Sequence, residues 1–319
     1  MKKLENLRWA PRWVSHLGCL KGCLDFLKLD VSDGWLFGGT GHAFVLNVHD
    51  VVCPSGPTAW RSEPLFGLGR NLGYEVEAVM AHKSDSAGFA EGQRRAWALV
   101  QQAIDEGLPC YGWELEIPEY CVVYGYDETG YHFSGPGCTE GKGPKPWAEL
   151  GDTGIGVLEM FRMAKGTRAD DDRVVRDALT FALVHATDTE RWVFPDYKAG
   201  LSGYENWIDA LQSGRVDGMG MAYNAAVWQE CRGHAVHFLQ EAQERLGGRA
   251  ARPLAEAAAR YQTVFEHLTT VSKLFPFHGR DPRHLQERER VETATQALRS
   301  AKSAETLGLE SLRAIVAAL

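Results

Sequence analysis

The stretch from Tyr111 to Pro136, which reads YGWELEIPEYCVVYGYDETGYHFSGP, constrains the fold of this 319-residue chain more than any other. Two runs rich in β-forming residues, Glu119–Tyr126 and Gly130–Phe133, flank the polar turn residues 127–129. Aromatic and β-branched residues on both sides of a short polar turn are typical of a β-hairpin. The sequence therefore predicts a hairpin at the centre of an α+β domain.

Composition and charge restrict the class of protein. A hydrophobic fraction of 45% and a charged fraction of 24% suit two globular domains, each with its own core. The net charge of -8 argues against a general affinity for nucleic acid, because neutralising phosphates requires a clustered excess of Lys and Arg. No apolar run approaches the roughly 18 residues of a membrane span, and the N-terminus lacks the apolar segment of a signal peptide. We therefore expect a cytoplasmic location and no membrane partner.

The chain changes character near residue 165. Residues 1–160 are rich in glycine, aromatic residues and short β-type runs, whereas residues 161–319 show apolar residues at three- and four-residue spacings. The predicted organisation is an α+β domain over 1–160, followed by an α-helical domain over 161–319.

The seven cysteines of the chain include no CxxC pair. An odd number without close pairs suits reduced thiols better than a disulfide framework. Structural zinc sites usually show two close ligand pairs, which are missing here, so the sequence predicts no metal and no other cofactor.

The segment SHLGCLKGCLDFLKLD predicts the first helix, with Ser15 as its N-cap. Its buried face is expected to carry Leu17, Leu20, Leu24 and Leu27. Cys19 then lies near the first turn, where unpaired N–H groups and the helix dipole favour a thiolate, so it is the candidate nucleophile. The alternative is that Cys19 and Cys23, four residues apart, are small buried hydrophobes.

The order of motifs along the chain carries a family resemblance. The first helix, LDVSD, a glycine-rich turn, GHAF and later VVYGYD resemble the N-terminal domain of the butirosin-biosynthesis H family, a papain-like acyltransferase group with a cysteine-peptidase-like fold. The resemblance covers residues 12–160 and implies a helical region after them. It matches Cys19 to the nucleophile, although the family spacing falls nearer Ser15. Glu119 stands where the catalytic histidine is expected, and Gly135-Pro136 replaces an Asp-Pro pair.

The candidate general bases are His42, His16 and Glu119. His42 follows a glycine-rich turn that can bring backbone N–H groups near a ligand, and His16 precedes Cys19 by three positions. Each histidine has an ordinary alternative, in a loop or in the first helical turn. Glu119 is a weaker candidate, because a glutamate with an ordinary pKa of about 4.3 is a poor base for generating a thiolate.

The candidate ligand-binding residues are Trp113, Glu114, Tyr120 and Tyr124. In WELEIPE, Glu114 and Glu116 alternate with apolar residues, so both are expected on one strand face. Acids beside aromatic rings can bind an amine or a metal ion, and the alternative is a solvated strand face.

Two functions follow from these residues. The first is a cysteine-dependent acyltransferase or amide hydrolase that acts on a small molecule or peptide, with an acyl-carrier donor as one option. There Cys19 attacks the acyl carbonyl, His42 or His16 accepts the proton, and the helix N-terminus holds the oxyanion. The alternative is a noncatalytic papain-like protein that binds a ligand in a degenerate active site containing Glu119.

Overall fold

A computed structural model describes residues 1–188 and 190–319. The helices are α1 (Ser15–Phe26), α2 (Asp33–Gly39), α3 (Glu63–Arg70), α4 (Phe89–Asp105), α5 (Asp171–Thr187), α6 (Gly200–Ser213), α7 (Gly218–Arg245), α8 (Ala251–Leu274) and α9 (Arg288–Ala318). The strands are β1 (Lys2–Lys3), β2 (Asn47–His49), β3 (Tyr74–His82), β4 (Cys110–Trp113), β5 (Tyr120–Tyr126), β6 (Gly130–Ser134), β7 (Lys142–Pro146), β8 (Val157–Lys165) and β9 (Tyr197–Ala199). The chain is therefore mixed α+β with a helical C-terminal region.

The chain forms two compact units. Unit one comprises Met1–Val31 and Gly73–Arg168, and unit two comprises Ser32–Leu72 and Ala169–Leu319. The predicted boundary at residue 160 therefore lies at Arg168, because β8 pairs with both β3 and β4 and belongs to the sheet. The prediction also differs for 32–72, which it assigned to the first domain and which packs with the helical unit.

Segment 32–72 joins unit two because the helices there satisfy its backbone. The Arg232 guanidinium on α7 donates to the carbonyls of Ala43 and Val45, at 2.9 and 2.8 Å. The Asn206 amide on α6 donates to the carbonyl of Val48 at 2.9 Å. Buried carbonyl groups need such partners, so these long-range bonds determine where the segment packs.

The glycine-rich turn before His42 has a packing role in unit two. Gly38 lies against the ring of Phe238, which would collide with a Cβ at this position. The absence of a side chain therefore lets α2 approach α7 closely. We expected these glycines to expose N–H groups to a ligand, but close helix packing explains Gly38 instead.

Unit one is built on an antiparallel sheet with the strand order β3-β8-β4-β5-β6-β7, and β1 pairs with the end of β5. The predicted hairpin is confirmed as β5 and β6, in which Val122 pairs with Ser134 and Tyr126 with Tyr131. The Asp127 N–H donates to the Gly130 carbonyl at 3.1 Å and closes the turn.

The predicted shared face of Glu114 and Glu116 is wrong. Strand β4 ends at Trp113, and Glu114 has a left-handed backbone with a φ of 55°. Glu114 is buried, whereas Glu116 is exposed and forms an ion pair with Lys142 at 2.5 Å. Alternation of side chains holds only within a strand, and it stops where the chain turns.

Helix α1 buries the face that its leucines predict. Leu17, Leu20, Leu24 and Leu27 are all buried. The N-cap is Val14 rather than Ser15, which is the first helical residue and makes no capping bond. The Ser15 hydroxyl instead donates a hydrogen bond to Glu119, so it does not cap the helix.

Unit two combines the long helices α7, α8 and α9 with a two-stranded antiparallel sheet of β2 and β9. Tyr204 and Trp207 lie on α6 and are fully buried. Among residues 1–188 and 190–319, no helix is long and apolar enough to cross a bilayer.

Candidate functional site

The N-terminus of α1 meets the start of β5 through one serine. The Ser15 hydroxyl donates to a carboxylate oxygen of Glu119 and accepts from the backbone N–H of Tyr120 at 3.0 Å. These bonds join residues more than 100 positions apart and attach the helix to the sheet. Ser15 is only 2% exposed, so its oxygen is not accessible as a nucleophile.

Cys19 is completely buried in α1. Burial raises the pKa of its thiol well above the usual range, and the nearby Cys121, Cys23 and Glu119 raise it further. We expected the helix N-terminus to lower this pKa, and that expectation is wrong. Desolvation disfavours the thiolate more strongly than the helix dipole favours it at this depth.

His16 lies on the sheet rather than in an open cleft. Its Nε2 is 3.2 Å from the Tyr111 hydroxyl, and its ring stacks on Tyr120 with a centroid distance of 4.4 Å. The ring of Phe161 is stacked 5.9 Å away. The buried imidazole therefore packs α1 against the sheet.

His42 belongs to unit two, where it is buried beside other side chains. Its Nδ1 lies 3.9 Å from the Cys231 sulfur, and its ring meets the edge of Trp60 at 5.7 Å. Burial lowers the pKa of His42 to about 4, and the nearby Arg232 charge also lowers it. The imidazole is therefore neutral at pH 7.

Two of the predicted ligand-binding residues come together on β4 and β5. Trp113 pairs with Tyr120 across these strands, and their rings meet at 4.9 Å in a T-shaped contact. The Tyr120 hydroxyl donates to Glu159 on β8 at 2.5 Å. Glu159 in turn pairs with Met80 on β3.

These residues form a row across four strands. Tyr111 pairs with Phe161, and Trp113 and Glu159 each lie two residues away, so both project from the same sheet face. Exposure to solvent rises along the row from β5 to β3. The rings of Tyr120 and Trp113 are buried, Glu159 is half-buried, and Met80 is 52% exposed. We call Met80, Glu159, Trp113 and Tyr120 the row-end site. It presents a carboxylate between apolar side chains.

Sequence reasoning missed Glu159. The signal is a single acid inside the apolar strand VLEMFRMAK. An acid within such a strand either faces solvent or has a specific partner, and only the strand order shows that this partner is Tyr120.

The remaining predicted ligand-binding residues have other neighbours. Glu114 accepts a hydrogen bond from the Thr153 hydroxyl at 2.8 Å and connects two loops. Tyr124, four residues along β5 from Tyr120, lines a polar cavity of about 210 Å³ together with Ser134 and Arg8. The structure therefore brings Trp113 and Tyr120 into contact, places Glu119 at the Ser15 hydroxyl, and gives Glu114 and Tyr124 different neighbours.

Within the described part of the chain, no group of three or more His, Cys, Asp or Glu side chains is arranged to hold a metal ion. In comparisons with known proteins, the sequence matches no family model and no curated protein.

Proposed function

We propose that this chain is a noncatalytic ligand-binding protein whose first unit is papain-like, and that its ligand is a small amine. The observation that carries the proposal is the hydrogen bond from Ser15 to Glu119. The family resemblance expects the catalytic histidine at Glu119, and the family spacing places the nucleophile near Ser15.

A serine–glutamate pair is poorly suited to the chemistry of a cysteine–histidine pair. The Glu119 carboxylate accepts the hydrogen bond of Ser15, but a carboxylate is too weak a base to remove a proton from a hydroxyl group. The hydroxyl is also buried and accepts from the Tyr120 N–H. In this proposal the pair holds α1 against the sheet.

The Cys19 thiol is also a poor candidate nucleophile. A nucleophilic cysteine needs a thiolate that a substrate can reach, and Cys19 is fully buried with a raised pKa. For this reason we prefer the noncatalytic function to a cysteine-dependent acyltransferase or amide hydrolase.

The chemistry of the row-end site favours an amine. Glu159 is half-buried and can accept from an ammonium group, while Met80 gives an apolar surface beside it. The buried rings of Trp113 and Tyr120 bound the site on its inner side and limit the access of water to the carboxylate. A small primary amine with an apolar substituent matches the carboxylate and the apolar surface.

The binding test uses two probes of similar size and opposite charge. We expect 2-phenylethylamine to bind in isothermal titration and to raise the melting temperature, whereas 3-phenylpropionate does neither. Glu159→Gln removes the charge and keeps the shape, so it should weaken amine binding at least about tenfold. The matched control is Glu116→Gln, which changes an exposed glutamate already paired with Lys142. Equal binding of both probes, or equal losses in both variants, would refute amine recognition by Glu159.

The absence of catalysis has a separate test. We expect no acetylated protein in intact mass spectra after incubation with the acetyl thioester of N-acetylcysteamine at pH 7.5. An acetyl group that maps to Cys19 or Ser15 and disappears in Cys19→Ala or Ser15→Ala would establish the acyltransferase or hydrolase function instead.

A further inference from the structure

Five thiols of unit one lie within electrostatic reach of one another, pair by pair: Cys138 with Cys121, Cys121 with Cys19, Cys19 with Cys23, and Cys23 with Cys110. Of these five, only Cys138 is partly exposed. Its thiol donates to the Pro136 carbonyl at 3.9 Å and is close enough to Cys121 for each thiol to shift the pKa of the other.

The backbone places these two sulfur atoms together. Val122 pairs with Ser134 in the β5–β6 hairpin, so Gly135 lies opposite Cys121 in the same register. A Cβ at Gly135 would lie 2.5 Å from the Cys121 sulfur. Because Gly135 has no side chain, the sulfur fits directly over the backbone of the neighbouring segment.

A tight turn then brings Cys138 back to Gly135, which lies opposite Cys121. The Cys138 N–H donates to the Gly135 carbonyl at 3.0 Å, and Gly137 inside the turn has a φ of 79°. A positive φ is readily adopted by glycine, so the turn is stable with this sequence. Two independent features, the strand register and the turn, therefore position Cys121 and Cys138 for one another.

We infer that Cys121 and Cys138 form a reversible disulfide by exchange with a small disulfide such as oxidised glutathione. The thiolate of Cys138 attacks one glutathione sulfur, forms a mixed disulfide and expels one glutathione thiolate. The Cys121 thiol then attacks the Cys138 sulfur and passes its proton to the second glutathione sulfur, which leaves as a thiol. The two protein thiols are oxidised by two electrons, and one oxidised glutathione is reduced to two glutathione molecules.

The order of attack follows from the exposure of the two thiols. Cys138 is half-buried and can meet glutathione, whereas Cys121 is buried. Burial raises the pKa of both thiols, and the interaction between them acts to lower that of Cys138 and to raise that of Cys121. Because the thiolate is the reactive form, exchange is slow at pH 7 and becomes faster as the pH rises.

The disulfide has a structural consequence that is separate from amine binding. It would close the loop between β5 and the turn after β6, which restricts the unfolded chain and should raise the melting temperature. The Cys121 thiol is also within electrostatic reach of Glu119, the partner of Ser15.

The experiment is oxidation of the full chain with oxidised glutathione at pH 8. We expect the intact mass to fall by two hydrogen atoms, a non-reducing peptide map to link Cys121 with Cys138, and dithiothreitol to reverse both. Cys121→Ser should stop at a glutathione adduct on Cys138, and Cys138→Ser should give no internal disulfide. The control is Cys53→Ser, because Cys53 is equally half-buried but lies in unit two beside Ser55.

The wild-type result decides the inference even if a variant fails to fold. A stable glutathione adduct on wild-type Cys138 without loss of glutathione would overturn it. A disulfide that links any other pair, or formation of the same link after prior unfolding only, would overturn it as well.

Discussion

The carboxylates of the two units differ in burial and in hydrogen-bond partners. In unit two, Glu305 is only 3% exposed, and it accepts from Arg232 at 2.7 and 3.0 Å and from the Tyr204 hydroxyl at 2.6 Å. In unit one, Glu119 and Glu159 are half-buried and accept from hydroxyl groups. A carboxylate whose charge is matched inside the core serves the fold, whereas one that reaches solvent can also meet a ligand. This contrast separates a structural network from a candidate binding site.

The buried pair in unit two has an additional role in assembly of the chain. Besides Glu305, Arg232 holds the carbonyls of Ala43 and Val45. One fully buried guanidinium thus connects α9 and segment 32–72 to α7. A buried ion pair is weak evidence of net stability, but the loss of one partner leaves an uncompensated charge in the core.

The largest change in the free energy of unfolding should come from breaking the Arg232–Glu305 ion pair. Glu305→Gln keeps the side-chain shape but leaves the Arg232 charge without its carboxylate, so we expect the free energy of unfolding to fall by about 3–5 kcal/mol. Urea denaturation measures the loss. In the control, Glu256→Gln, an exposed ion pair with Arg252 is removed, which should leave the free energy of unfolding nearly unchanged. Similar small losses in both variants would show that Glu305 is not the structural carboxylate of unit two.

The second effect is the acid sensitivity of unit two. Burial lowers the pKa of His42 to about 4 and that of His185 to about 3, from an unfolded value of 6.5. The unfolded chain therefore binds more protons than the folded one below pH 6.5, and stability falls as the pH drops from 6.5 towards 4. By pH 4 the loss is on the order of 3 kcal/mol for each histidine.

Denaturation curves between pH 7 and pH 4 measure this sensitivity. His42→Asn should reduce the pH dependence, whereas His82→Asn, a change at an exposed histidine, should leave it unchanged. If His42→Asn shows the same pH dependence as the unchanged chain, His42 is not held neutral by burial and the contrast between the units is weaker.

The smallest effect concerns the serine–glutamate pair of unit one. Ser15→Ala removes two hydrogen bonds, so it should lower the free energy of unfolding by about 2 kcal/mol. A double-mutant cycle with Glu119→Gln should give a coupling energy of about 1 kcal/mol, the usual net value of one hydrogen bond. Ser86→Ala, at an exposed serine, is the control and should change stability by less than about 0.5 kcal/mol. Strictly additive losses would mean that Ser15 and Glu119 do not stabilise the fold together.

Sequence patterns predicted the elements that local chemistry determines. The hairpin of β5 and β6 follows from β-forming residues around a polar turn, and the buried face of α1 follows from leucines at helical spacing. The same reasoning failed at Glu114, because nothing in WELEIPE indicates that the strand ends at Trp113.

The candidate site was predicted only in part. Trp113, Tyr120 and Glu119 were found because they are close in sequence, where β4 ends and β5 begins. Glu159 and the role of Ser15 were not found, because their hydrogen bonds join residues 39 and 104 positions apart. Such contacts depend on strand order and on helix docking, which local patterns do not specify.

The sequence by itself determined the α+β composition, the hairpin, the apolar face of α1 and the helical C-terminal region, because each depends on periodicity and turn chemistry over a short stretch. Only the tertiary structure decided that 32–72 packs with the helices, that Cys19 is buried, and that Ser15 meets Glu119. The physical reason is that desolvation and the pairing of distant polar groups depend on the whole environment of a residue. The same cysteine near a helix N-terminus is a reactive thiolate in a cleft and an inert thiol in a core.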